Sequence, residues 1–503
     1  MDKKRSILNV SVAIFFKLIL FALSVFARRC LIKYVGNDAN GVNSLYSSIV
    51  GVLAIAELGV GSAITFSMYQ PIINNEKEKI AALYKLFIKI YRIIAGLILI
   101  AGLAITPFLP LLTKNYQADF NLYITFIIML ISVAFTYTYS AKISLINAYK
   151  NNYITTTITS IGQILLYILQ VIVLILFQSF ELFLISRIIS EVLQSLLVNL
   201  YVKRHYNDII TITGVLDEST KLEIGKNVKA MFMHKLGGVL INSTDSIIIS
   251  AFVGVVTLGL YSNYTIIMSA MAGVLGLFFS PLTSVIGHLC AEHNIQEEKR
   301  VFNFLYFLNF SLGCIFYLGY YSIIDNLVIL LFGETLTMTW EIPFIITINY
   351  FVQFMRQSVL LFRDATGTFY NDRWKPIFEG GLNIVLSILL VQWFDILGVL
   401  VATILTNLLI CHVVEPFVLY KHAFQENPKK YYFLNYSCLL AFGIMLLFLH
   451  FIKISLDSII LETLLNGCFA VLLASVPILL FFLTNKAVRQ SVKSIFIKRK
   501  NNE

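Results

Sequence analysis

Fourteen apolar runs decide what this chain can fold into. About 20 apolar residues cross a hydrocarbon core of ~30 Å. By that measure the runs fall at 8–33, 41–68, 85–108, 119–141, 154–177, 181–202, 230–252, 260–286, 301–324, 339–362, 376–394, 396–419, 431–452 and 459–484. With 58% of its 503 residues hydrophobic and 13% charged, a water-soluble globule would lack the polar surface to cover itself. The chain is therefore expected to be an all-α, polytopic membrane protein with about 14 transmembrane helices, since a helix satisfies its own backbone in lipid. The first run holds Lys17 and ends at no small-residue cleavage site of the usual length, so it is expected to be an uncleaved helix. Cys30, Cys290, Cys314, Cys411, Cys438 and Cys468 stand singly in apolar segments with no CxxC spacing; they suggest neither a disulfide framework nor a metal site.

The formal charge of +10 first suggests nucleic acid, but the distribution of the cations argues against that partner. With the N-terminus placed in the cytoplasm, loops and ends on that side hold 27 Lys and Arg, whereas the outer loops hold Lys33, Lys114 and Lys453. That asymmetry predicts two cytoplasmic termini and an even number of spans. The outer loops are short, which leaves no room for an extracytoplasmic catalytic domain.

Shifting the chain on itself by 218 residues aligns 17–65 with 235–283 and gives 11 identities in 49 positions, among them Lys17/Lys235, Gly36/Gly254, Gly41/Gly259 and Tyr46/Tyr264. Spans 1 and 7 run the same way, so the repeat is parallel, as in transporters with two lobes. The expected architecture is two pseudo-symmetric six-helix lobes around a central cavity plus two C-terminal helices. Its boundaries are an N-terminal lobe at 1–203, a cytoplasmic linker with an interfacial helix at 204–229, a C-terminal lobe at 230–430, the two added helices at 431–484 and a basic tail at 485–503.

Eight cations fall within spans: Lys17, Arg28, Arg29, Lys89, Arg92, Arg187, Lys235 and Arg356. A charge at the bilayer centre costs about 2.5–3.5 kcal/mol on insertion scales, so each needs a wet cavity, a counter-charge or a route to the headgroups. Lys17, Phe21, Ser24 and Arg28 share one helical face, expected to line the cavity, while Arg29 lies off it and can snorkel. Lys235, Gly238, Asn242 and Asp245 repeat that stripe in span 7, so Lys17 and Lys235 are expected to form a cation pair across the repeat. A helix-locking bridge from Lys235 to a carboxylate is the structural alternative, and His234 reads as interfacial. Asn349, Gln353 and Arg356 form a further polar face in span 10. Arg187 and Glu191 are an i, i+4 pair able to neutralise each other, and Lys89 and Arg92 lie near enough to the end of span 3 to reach headgroups. Intramembrane acids are Glu57, Glu191, Asp245, Glu379 and Glu415; Glu57 and Asp245 are the candidates for ion coupling or helix pairing. There is neither a GxxxxGK[ST] nor a GxSxG motif, which leaves an ATP-driven pump and a serine hydrolase unsupported. Energy would come from a proton or sodium gradient, the membrane potential or the substrate's metabolic fate, with no bound cofactor.

Three blocks carry a family resemblance: "LIKYVGNDANGVNSLYSSIVGVLAIAELGVGSAITFSMYQP" at 31–71, "HKLGGVLINSTDSIIISAFVGVVTLGLYSNYTII" at 234–267 and "DRWKPIFEGGLNIVLSILLVQWFDILGVLVATILTNLL" at 372–409. The chain resembles the Wzx-type polysaccharide flippases of Gram-positive bacteria, in the multidrug/oligosaccharidyl-lipid/polysaccharide exporter superfamily. The resemblance implies a plasma-membrane transporter, not an enzyme. By alternating access it would move a polyprenyl-pyrophosphate-linked oligosaccharide repeat unit for capsule, exopolysaccharide or a similar surface glycan. It further implies cationic groups that face pyrophosphate and acidic sugars, a role that suits Lys17, Arg28, Lys235 and Arg356; the reading of helix faces adds Arg29 to the candidate cationic site and Ser24, Asn242, Asn349 and Gln353 as polar cavity residues. Its partners would be the lipid-linked substrate, membrane lipids, and the glycan polymerase and glycosyltransferases of the same pathway. Competing readings are a flippase for a teichoic acid or peptidoglycan precursor and a cation-coupled multidrug exporter, usually without the last two spans. A membrane polysaccharide polymerase or ligase, from another class, would need a catalytic outer loop.

Overall fold

The computed structural model describes residues 3–57, 60–218, 220, 222, 224–226, 228, 243–279, 282–292, 294–368 and 371–492. These residues form helices and no strand, as expected of an all-α polytopic membrane protein. The helices, numbered with short turns omitted, begin with α1 (Lys3–Tyr34), α2 (Asn37–Leu53), α3 (Val60–Ile73), α4 (Lys77–Ile105), α5 (Leu122–Ala148), α6 (Asn152–Phe177) and α7 (Phe180–His205). They continue with α8 (Val255–Phe279), α9 (Leu282–Ala291), α10 (Ile295–Leu331), α11 (Glu341–Met355), α12 (Gln357–Thr366), α13 (Lys375–Thr406), α14 (His412–Leu419), α15 (Lys429–Phe451) and α16 (Ile459–Thr484). Among the described residues nine helical stretches are long and apolar enough to cross a membrane. Each expected span except the seventh, most of which lies outside the described residues, coincides with a helix or an interrupted helix.

Contacts divide the chain into two compact units, Met1–Gly259 and Leu260–Glu503. In the first, α1 packs on α6, α4 on α5, and α7 on both α5 and α6. Its core is built on helix-spaced apolar positions of α4, Ile80, Leu83, Phe87, Tyr91, Ile94 and Ile98, with Phe87 stacked on Tyr91. In the second, α10 is the hub: 37 residues give it a length of about 55 Å. It buries Phe302, Tyr306, Phe310, Tyr317 and Tyr321 at i, i+3/i+4 spacing against α11, α15 and α16.

Backbone geometry repeats along with the residues. Gly36 has φ 130°, ψ 163° and Gly254 has φ 127°, ψ 161°, a conformation essentially reserved for glycine. Asn37 and Gly41 meet 255–259 reciprocally under the 218-residue shift: a Cβ on Gly41 would lie 1.9 Å from the Val255 carbonyl oxygen, and one on Gly259 2.4 Å from that of Asn37. Tyr46 and Tyr264 are both fully buried. The Tyr46 hydroxyl donates to the Leu122 carbonyl at the head of α5, and the Tyr264 hydroxyl accepts from the Met338 amide just before α11.

The stretch from Lys375 to Phe424 spans 50 residues, far too long for one crossing. It is broken at Asp395, which takes φ 48°, ψ −135°. The two halves pack as an antiparallel hairpin, with Asn383 Nδ2 donating to Thr403 Oγ1 at 3.0 Å and Lys375 Nζ to Glu415 Oε1 at 2.6 Å. Gly398 makes the close return possible, since a Cβ there would sit 2.3 Å from the Leu390 carbonyl oxygen. Gly398→Val should therefore lower the thermal midpoint in detergent, by an overpacking cost of about 1–3 kcal/mol. Gly381→Ala, where the added methyl meets nothing within 4 Å, should leave it unchanged or raise it.

Candidate functional site

The second unit contains a buried ionic cluster assembled from α11, α12, α13, α14 and the turn before α13. Arg356 stands where α11 ends and α12 begins, and the carbonyls freed by that break, Phe354 and Met355, accept hydrogen bonds from Asn309 Nδ2 at 3.1 and 3.3 Å. Its guanidinium grips Glu415 bidentately, Nε to Oε2 at 3.0 Å and Nη2 to Oε1 at 2.6 Å, and donates through Nη1 to Asn407 Oδ1 at 2.7 Å. Asn407 opens a π-helical turn over Asn407–Cys411, a local widening that aims it at the guanidinium. Lys375 Nζ lies 2.6 Å from both Glu379 Oε2 and Glu415 Oε1, and Arg363 Nη1 lies 2.9 Å from Asp372 Oδ2. Three cations thus meet three carboxylates that are 1–5% exposed. Asp372 lies between spans; burial pushes its carboxyl up, and the Arg363 guanidinium pulls it back.

Beside this cluster runs a neutral chain of buried hydrogen bonds. The Tyr306 hydroxyl donates to Asn435 Oδ1 at 3.0 Å, Asn435 Nδ2 is 2.9 Å from His412 Nδ1, and His412 Nε2 is 3.0 Å from the Val352 carbonyl. That pattern suits a neutral imidazole protonated on Nε2.

In the first unit a second polar cluster forms inside the bundle. Tyr167 on α6 is the common electrostatic neighbour of Arg28 on α1 and Arg187 on α7, and its hydroxyl is hydrogen-bonded to Ser24. Helical rise puts both arginines roughly 10 Å from the bundle end where α1 stops and α7 starts. The Glu191 carboxylate accepts from the Tyr139 hydroxyl at 2.5 Å and lies within the field of Arg187. Nearer the opposite end, Glu57 sits in a 3-10 turn over Ala54–Glu57 that interrupts span 2. It accepts from the Tyr137 hydroxyl at 2.9 Å and is also hydrogen-bonded to Tyr91.

These positions sort the residues expected from the sequence. Ser24 and Arg28 do gather with residues of other helices, whereas Lys17 and Arg29 are exposed on α1. Ser24 also donates to the Phe21 carbonyl. Asn349 and Gln353 hydrogen-bond to each other at 3.0 Å, and Asp245 is buried. Arg356, grouped with them by its helical face, is held by Glu415, Glu379 and Asn407. Lys235 and Asn242, with His234 and Gly238, lie outside the described residues. Sequence reasoning missed Lys375, Arg363, Asp372, Asn407, His412 and Tyr167 as members of clusters. One signal was available: Lys375 and Glu415 stand equally far from the hairpin break at Asp395.

No family model matches the chain, and no curated protein sequence matches it. Solved structures do. The lipid II flippase MurJ in an inward closed conformation aligns with TM-score 0.67 at 15% identity, over 94% of this chain and 98% of its own. An inward-facing multidrug resistance MATE family transporter of the MOP superfamily aligns with TM-score 0.66 at 15% identity, over 82% and 97%. A MOP superfamily transporter from Pyrococcus furiosus, described as having a binding pocket of reverse polarity, aligns with TM-score 0.53 at 14% identity, over 85% and 98%. The chain has the fold of the MOP-superfamily transporters. It is a multi-pass membrane protein, and the matched structures are of transporters and a flippase.

Within this transporter fold, Arg356→Ala should cost about 3–5 kcal/mol, because it strands Glu415 without its bidentate partner. Removing both groups, Arg356→Met with Glu415→Leu, leaves Lys375 with Glu379 and Arg363 with Asp372, so the double variant should recover most of that loss. Thermal unfolding of the four members of the cycle in one detergent measures the coupling.

Proposed function

We propose that the chain is a flippase for a polyprenyl-pyrophosphate-linked oligosaccharide repeat unit, moving it from the inner to the outer leaflet of a bacterial plasma membrane by alternating access. Both termini are cytoplasmic in this reading, as the placement of cations predicts. The observation that carries it is the Arg28, Tyr167 and Arg187 cluster, in which two guanidiniums from different helices share Tyr167 as an electrostatic neighbour inside a membrane bundle. Guanidinium is the side chain best matched to phosphate oxygens, and in a low dielectric a pair of them favours an anionic ligand.

The fold comparison supports the lipid-linked substrate. The alignment with the lipid II flippase takes in 94% of the chain, against 82% for the multidrug transporter. The difference is consistent with two helices beyond a twelve-span core, and α16 packs directly on the hub helix α10. A pyrophosphate with its glycan cannot enter hydrocarbon, while its prenyl tail need never leave it, so a cavity open to lipid serves both ends. Drive would come from a proton or sodium gradient or the membrane potential, with Glu57 and Asp245 as the acids able to register it. A peptidoglycan precursor is the second reading, favoured by the flippase match.

Arg28→Gln and Arg187→Gln should each reduce outward movement of lipid-linked repeat units roughly ten-fold, the equivalent of one charge-assisted hydrogen bond of about 1.5 kcal/mol. Lys17→Ala combined with Lys235→Ala should also make repeat units accumulate on the cytoplasmic face. The measurement is glycan exposure on each leaflet in cells carrying the variant as sole copy. Normal surface glycan in all of these variants rejects a cationic substrate site. Unchanged surface glycan in a null strain, with export of a cationic dye lost, would assign the chain to drug transport instead.

A further inference from the structure

We propose that a groove on α4 lined by Lys85, Lys89 and Arg92 binds the phosphate of a lipid headgroup. The three residues are exposed and stacked at i, i+4 and i+7 on the side of α4 opposite its buried face. With Ile88 and Ile93 they line a cavity of about 450 Å³. A fourth cation stands by: Lys142 on α5, which donates to Asn199 Oδ1, lies within the field of Arg92. Among the described residues no carboxylate forms an ion pair with Lys85, Lys89 or Arg92.

Like charges at i, i+3 and i+4 repel on a helix, and every one of these lies on a stretch that is otherwise membrane-spanning. Snorkelling would take each ammonium to the interface but would crowd them together there, so a phosphate between them removes a cost that extension of the side chains leaves in place. The apolar surroundings select a lipid over a free anion. Ile93, Leu97, Ile100 and Leu103 continue along α4 away from its charged end and are 50–69% exposed, giving a chain of methyl groups on which an acyl or prenyl tail can lie while its phosphate meets the cations. The groove is remote from the Arg28 and Arg187 cluster, which lies near the other end of the same bundle, and it does not depend on the transport reading.

Two lipids supply the same chemistry, a phosphodiester phospholipid and a polyprenyl pyrophosphate, and the test separates them. The full-length protein, purified in neutral detergent, is titrated with phosphatidylglycerol, with an undecorated polyprenyl pyrophosphate, with phosphatidylcholine and with inorganic pyrophosphate, and adducts are counted by native mass spectrometry. The triple variant Lys85→Gln, Lys89→Gln, Arg92→Gln should bind phosphatidylglycerol or the polyprenyl pyrophosphate roughly ten-fold more weakly than the parent, while phosphatidylcholine is unaffected. Whichever anionic lipid loses affinity names the occupant. A variant that keeps the charges, Lys85→Arg with Lys89→Arg and Arg92→Lys, should bind like the parent. Equal binding of both anionic lipids by the neutral and parent proteins overturns the proposal, as does loss confined to inorganic pyrophosphate. Should the triple variant fail to fold, Lys89→Gln alone, at an exposed position, should show about a three-fold loss, and no loss there overturns the proposal equally.

Discussion

One carboxylate organises the second unit. Glu415 accepts from Arg356 through both oxygens and from Lys375 through one of them, so a single side chain 1% exposed ties α11, α13 and α14 together. Placing any one of these ions in hydrocarbon alone would cost several kcal/mol, so losing a single partner is costlier than losing a matched pair. The consequences reach outward. Arg356 must arrive from a helix end, hence the break after Met355; Asn407 must lean in from a widened turn; and Lys375 must sit opposite Glu415, which fixes the register of the hairpin turning at Asp395. Such a cluster contributes specificity of arrangement more surely than net stability, because an apolar substitute of equal volume often does as well energetically.

The two units therefore solve the problem of buried charge differently. The second neutralises: three buried carboxylates against Arg356, Arg363 and Lys375. The first distributes its charges over separate places, with arginines gathered around Tyr167, a carboxylate at Glu57 held by tyrosine hydroxyls, and a run of exposed cations on α4. A side chain locked in a short bidentate pair has little freedom to exchange partners. In the proposed function, the phosphate would be met by the first unit's arginines.

Much of the fold was legible because its strongest signals are local. Apolar run length located the spans, and the boundary expected between 394 and 396 coincides with the Asp395 break. The internal repeat was visible in glycines whose positions later proved to share one uncommon backbone conformation, Gly36 and Gly254. The sites were less legible, for a physical reason. Helical periodicity reveals which residues share a face but not what that face meets. Asn349, Gln353 and Arg356 do share a face, yet the partner of Arg356 lies 59 residues away on another helix. Arg187 and Glu191 were expected to answer each other; in the fold Glu191 also takes the Tyr139 hydroxyl, and Arg187 donates to Met129 Sδ and has Tyr167 as a second electrostatic neighbour. Tyrosines such as Tyr167 carry no charge and look like core, so nothing in one sequence separates those that neighbour arginines from those that merely pack.

Among the described residues, several polar groups stand at helix irregularities. Glu57 belongs to a 3-10 turn, Arg356 to the junction of two helices, Asn407 to a π-helical turn, and Asp395 to the hairpin break. Each irregularity frees backbone groups that lipid cannot satisfy, so it persists only where side chains supply the missing partners, as Asn309 does for Phe354 and Met355. The dependence runs both ways, because a charged group needs donors and acceptors that a regular helix does not offer. Breaks and charges thus stabilise each other locally, at places where the helix is also easiest to bend. A change of charge at Glu57 or Glu415 would therefore act on the local helix geometry as well as on the partner side chains.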